Sequence, residues 1–262
     1  MELNQKEHNN LNEKLLKNQL HKAEHLKDLE SNTIIDSEAI TTQIRLGFIR
    51  KVYAILTVQL FVTSLFVVLG FNDSVRQIYH SSSFLFYLAM FTSIILAFSL
   101  ICFQKFISNF PTNYLILSIW TLCEGYLIGV VSSIFDAYSV LLAACLTVTV
   151  TFALTVYAFT TKKDFTYIGG ILFVLVSIMI FFGFFFILFG INNKFTSGLY
   201  SLYLILGVVL YSFWLIYDTQ MLIGKYGNEY SIDDYVIASM MLYLDILQIF
   251  IQILNLIGTR RN

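Results

Sequence analysis

Long apolar blocks separated by short polar joints dominate the chain from residue 52 onward. Seven blocks reach about 20 residues, the length a helix needs to cross hydrocarbon about 30 Å thick. The pattern predicts spans over Val52–Gly70, Phe84–Phe103, Tyr114–Phe135, Ser139–Phe159, Ile168–Gly190, Gly198–Tyr217 and Tyr235–Ile257. Because the joints are short, successive helices must run antiparallel and pack together. Residues 1–44 are polar, and Leu11, Leu15, Leu16, Leu20, Ala23, Leu26 and Leu29 give them only a weak helical period. The predicted organisation is a polar tail over 1–44, a seven-helix membrane domain over 45–258 and a short basic tail over 259–262.

Composition agrees with that pattern. The 262 residues are 57% hydrophobic and 13% charged, against about 25% charged in soluble domains. A net charge of -1 offers no broad basic surface for nucleic acid. Cys102, Cys123 and Cys145 all fall in apolar blocks and read as buried, reduced thiols. No cleavable signal precedes the first apolar block, so the first span must act as its own insertion signal.

Basic residues near the span ends set the expected orientation. With the N-terminus in the cytosol, the inner side carries Arg45, Arg50, Lys51, Lys105, Lys162, Lys163 and Lys225. The outer side then carries Arg76, Lys194, Arg260 and Arg261. Seven full crossings leave the C-terminus outside, which Arg260 and Arg261 oppose, so its side stays open. Asn72-Asp73-Ser74 is a glycosylation sequon in the first outer joint, close to a span end.

Acids within apolar spans cost about 3 kcal/mol on insertion scales and therefore mark candidate sites. Asp245 lies midway along the last span. Gln248, Gln252, Asn255 and, further back, Asp234 fall within about 80° of it on a helical wheel. That polar stripe reads either as the lining of a water-filled path or as a seam joining helices. Asp218 closes the sixth span, either facing Asp245 across the hairpin or standing in interfacial water. If the two carboxyls meet, they share a proton and titrate as a pair, and their oxygens also suit Ca²⁺. Glu124 is a buried acid of the third span, in a structural or a conducting role. Beside it, Gly125 and Gly129 form a small-residue seam for a close neighbour.

Several blocks together carry a resemblance. They are Arg45–Tyr53, Pro111–Tyr114 with Thr121–Gly125, Ala153–Thr166, Tyr217-Asp-Thr-Gln220, and Asp233–Tyr235 through Leu242-Tyr-Leu-Asp-Ile246. Their order and spacing resemble the transmembrane Bax inhibitor motif family, its lifeguard branch above all. The resemblance implies six helices wrapped around a central C-terminal seventh. It implies a pH-sensitive calcium leak of an intracellular membrane, endoplasmic reticulum or Golgi, that suppresses apoptotic cell death. It also implies a di-aspartyl pH sensor, whose members fall on Asp218 and Asp245. No cofactor is expected beyond Ca²⁺ as the transported ion. Lipid and apoptosis-regulating membrane proteins are the expected partners, and the alternative is a non-conducting regulator that binds such proteins. An intramembrane aspartyl protease fits poorly, because Leu242, Tyr243 and Leu244 stand where its Gly-x-Gly would precede the aspartate. A seven-helix receptor fits poorly as well, for Pro111 is the one proline. No enzymatic activity is expected.

Overall fold

The computed structural model describes residues 40–102, 111–190, 194–224, 227 and 230–261. The expected tail helix over residues 11–29 lies outside them. The helices are α1 (Ile40–Leu69), α2 (Asp73–Ser81), α3 (Ser83–Cys102), α4 (Thr112–Ser132) and α5 (Ala137–Thr160). They continue with α6 (Gly169–Phe189), α7 (Lys194–Ile223) and α8 (Tyr235–Ile257). Single 3₁₀ turns at Thr166–Ile168 and Ile232–Asp234 lead into α6 and α8. Among the described residues there is no strand, only an isolated bridge between Phe135 and Arg260.

By length and apolar composition, six of these helices can cross a membrane. The pair α2–α3 is apolar enough as well but is broken by 76°, and it makes a seventh crossing only if it is counted as one span. The first joint, expected as a simple outer loop, thus contains a helix of its own. Asn72 starts it by accepting a hydrogen bond from the Ser74 amide at 3.0 Å, the usual N-cap role of asparagine. The sixth span also differs from expectation. It does not stop at Tyr217 but runs 30 residues to Ile223, about 45 Å, which carries Asp218 inside the helix. The cysteine reading is corrected too: Cys145 is exposed on the outside of α5, and Cys123 is only half-buried. An apolar thiol on a lipid-facing surface costs little, so burial in protein is not required.

α8 is the most buried of the membrane-length helices, and it packs against α4, α5 and α7. Its Tyr243 is fully buried. The Tyr243 hydroxyl shares a 2.6 Å hydrogen bond with Thr63 of α1, and the ring packs edge-on against Trp120 of α4 at 5.4 Å. Glycine sets the spacing elsewhere. A Cβ on Gly129 would stand 2.9 Å from the Phe66 carbonyl oxygen, and one on Gly125 2.8 Å from the Phe66 ring. The expected seam is therefore real, and α1 is the neighbour it admits. A Cβ on Gly169 would likewise stand 2.9 Å from the Tyr217 ring.

The chain ends as a strap. The Asp136 amide donates to the Thr259 carbonyl at 2.8 Å, and the Arg261 amide to the Ile134 carbonyl at 2.9 Å. The Arg261 guanidinium then pairs with Asp73 at 3.0 Å. The C-terminus therefore lies at the same end of the bundle as the first joint.

Candidate functional site: a buried pair of aspartates

The site is built by the hairpin of α7 and α8. Both helices bring an acid inside the protein: Asp218 is 3% exposed and Asp245 6%. Their carboxyl groups lie within hydrogen-bonding range of each other. Two acids so placed inside the protein face each other across the hairpin rather than water. Asp245 Oδ2 is buried and meets no donor. The reading of Asp218 as an acid in interfacial water is thereby corrected. The helix continues past it, and its polar groups find partners within the protein.

Those partners come from both sides of the hairpin. Tyr230, in the joint before α8, donates from its hydroxyl to Asp218 Oδ1 at 2.7 Å. The Tyr230 amide donates to the Met221 carbonyl at 3.2 Å and anchors the joint. Burial, reinforced by the charge of Asp218 beside it, pushes the Tyr230 hydroxyl well above the usual phenol range. It therefore remains a donor at any physiological pH. Two residues along α7, Gln220 clamps the α5–α6 joint. Its amide nitrogen donates to the Lys163 carbonyl at 2.9 Å, and its oxygen accepts from the Phe165 amide at 2.7 Å. Asp218 thus stands on a helix end fixed to two joints.

The rest of the α8 stripe is arranged unevenly. Gln252 is buried, and its amide carbon lies 2.7 Å from where a Cβ on Gly207 would be, so α7 and α8 touch closely there. Its Oε1 is buried without a partner. Gln248 and Asn255 are half-buried, and Asn255 turns its amide back to the Ile251 carbonyl at 2.8 Å. Asp234 keeps to the same face but ends the 3₁₀ turn at the head of α8, about 16 Å along the axis from Asp245. The structure therefore joins Asp218 and Asp245 and leaves Asp234 apart. Glu124 is apart as well: it sits on α4 and accepts a hydrogen bond from Ser93 of α3.

Neither Tyr230 nor Ser93 stood out in the sequence. A tyrosine in a joint has no period to betray it, and a serine within an apolar run reads as neutral. Among the described residues, no group of three or more His, Cys, Asp or Glu could hold a metal. The aspartates offer four oxygens, short of the 6–8 that Ca²⁺ takes.

Comparison with known proteins places this hairpin in a wider group. Residues 45–262 match the family described as Inhibitor of apoptosis-promoting Bax1. The chain is 30% identical over 219 residues to mouse protein lifeguard 3, covering 83% of this chain and 71% of that one. It is 30% identical over 251 residues to human protein lifeguard 3, covering 90% and 77%. It is 32% identical over 225 residues to Bax inhibitor 1 of Schizosaccharomyces pombe, covering 84% and 79%. Its apolar helices and these matches together make it an integral membrane protein of the Bax inhibitor family, to which the chain belongs.

Proposed function

We propose that the protein is a pH-sensitive calcium leak of an intracellular membrane, endoplasmic reticulum or Golgi, whose activity restrains apoptotic cell death. The observation that carries this reading is the Asp218–Asp245 pair, two buried acids facing each other between helices, which on this reading share one proton. While the proton is present, it ties α7 to α8. Raising the pH removes it and leaves two like charges side by side, which must separate or take up a cation. Ca²⁺ is the natural occupant for an all-oxygen site. Gln248, Gln252 and Asn255 then line the route along α8, and Asp234 stands at its end. The N-terminus faces the cytosol on this reading.

A second reading is favoured by the closed state of the pair. Two acids at 3% and 6% exposure offer an ion no open way in. A protein that stays closed would act on apoptosis-regulating membrane proteins without conducting. Calcium efflux from liposomes containing only the purified chain separates the two. Efflux above that of empty liposomes supports the leak, and its absence at every pH leaves the non-conducting regulator.

A further inference from the structure

A groove of about 460 Å³ runs between α1 and α4, on helices other than the two that carry the aspartates. Ile55, Val58 and Val62 form one wall, and Tyr114, Ser118 and Leu122 the other. Val58 is 62% exposed and Leu122 50%, so the groove opens outward, where the bilayer lies. Its surface is apolar. The Ser118 hydroxyl is spent on the Tyr114 carbonyl at 2.7 Å. At the floor, Gln59 Nε2 donates to Thr121 Oγ1 at 3.2 Å, and that hydroxyl donates to the Leu117 carbonyl at 2.8 Å.

One end differs in chemistry. Lys51 is exposed and lies one turn before Ile55 on the same side of α1. Its ammonium sits 3.1 Å from the centre of the Tyr235 ring and 6.0 Å from that of Tyr114, a groove residue. Asn113 fixes the Tyr235 hydroxyl with a 2.8 Å hydrogen bond. The cation is thus held at the mouth of the groove on an aromatic seat, with the exposed Arg50 beside it in the chain. From Lys51 to Val62 the helix rises about 16 Å, about half of the 30 Å hydrocarbon core. That reach matches one leaflet, and Lys51 gives the groove one positive end.

We propose that this groove binds one anionic phospholipid from the adjoining leaflet. The headgroup phosphate rests on Lys51, and one acyl chain lies between α1 and α4. Charge complementarity at the mouth, apolar walls and leaflet-matched length together select this occupant. A sterol or a neutral diacylglycerol has no phosphate for the lysine to hold.

The test is native mass spectrometry of the full chain in detergent, titrated with phosphatidylglycerol and, separately, with diacylglycerol. Wild type should retain one phosphatidylglycerol and little diacylglycerol. Lys51→Gln should weaken phosphatidylglycerol retention about fivefold, the effect of one basic side chain facing an anionic headgroup. Val58→Trp and Leu122→Trp, which fill the groove from its two walls, should abolish retention. Val148→Trp, at another outward position that is 67% exposed, should leave it intact. All four sites are exposed, so a monodisperse elution profile should confirm folding of each variant. Equal retention of diacylglycerol, or retention unchanged by both tryptophans, overturns the proposal.

Discussion

The protein holds acids inside its membrane helices in two regions, and the two are satisfied differently. Glu124 of α4 accepts from the Ser93 hydroxyl. That bond survives whether or not the carboxyl is ionised, because the serine always supplies a proton. Asp218 and Asp245 are set against each other inside the α7–α8 hairpin. The first acid has a neutral donor as its partner, and each acid of the second pair has another acid. The partner given to a buried acid is what separates the two regions.

Perturbing each region should show this difference. The largest structural effect is expected on α4, the helix that carries Glu124. Gly129→Ala sets a methyl 2.9 Å from the Phe66 backbone, which cannot turn aside, and should cost about 1–3 kcal/mol in thermal unfolding in detergent. Gly207→Ala, on the same α7–α8 contact that carries the aspartates further along, meets the movable side chain of Gln252 instead and should cost less. Equal losses would show that the two helix contacts are alike in stiffness. Tyr230→Phe removes the donor to Asp218 and should cost about 1 kcal/mol in the same measurement. No loss would mean that the tyrosine does not support the pair. The smallest effect belongs to the strap. Arg261→Ala breaks a surface ion pair whose Asp73 side chain is 86% exposed, worth at most about 1 kcal/mol. A larger loss would make the strap an essential part of the fold.

The spans were legible because a helix in lipid must be apolar over a fixed length. Asp245 was legible because an acid there is costly. The stripe of Gln248, Gln252 and Asn255 followed from helical geometry alone. What the sequence hid depended on tertiary partners. Hydropathy ends the sixth span at Tyr217, since Asp218, Thr219 and Gln220 look like a polar joint. The helix goes on, with Tyr230 donating to Asp218 and the α5–α6 joint receiving Gln220. The break between α2 and α3 was hidden as well, because residues 73–81 are polar enough to pass for a loop. The side of the C-terminus was undecidable from Arg260 and Arg261 alone, for what fixes it is the contact of residues 259–261 with Ile134, Asp136 and Asp73.

The central claim is that the aspartate pair sets the pH dependence of a calcium leak. The direct test is calcium flux from liposomes containing only the purified chain, measured from mildly acidic to mildly basic pH. Wild type is compared with Asp218→Asn, Asp245→Asn and Glu124→Gln. The pair account predicts flux that varies with pH in wild type and in Glu124→Gln, and a flat profile in both asparagine variants. A wild-type profile retained by both asparagine variants would contradict it.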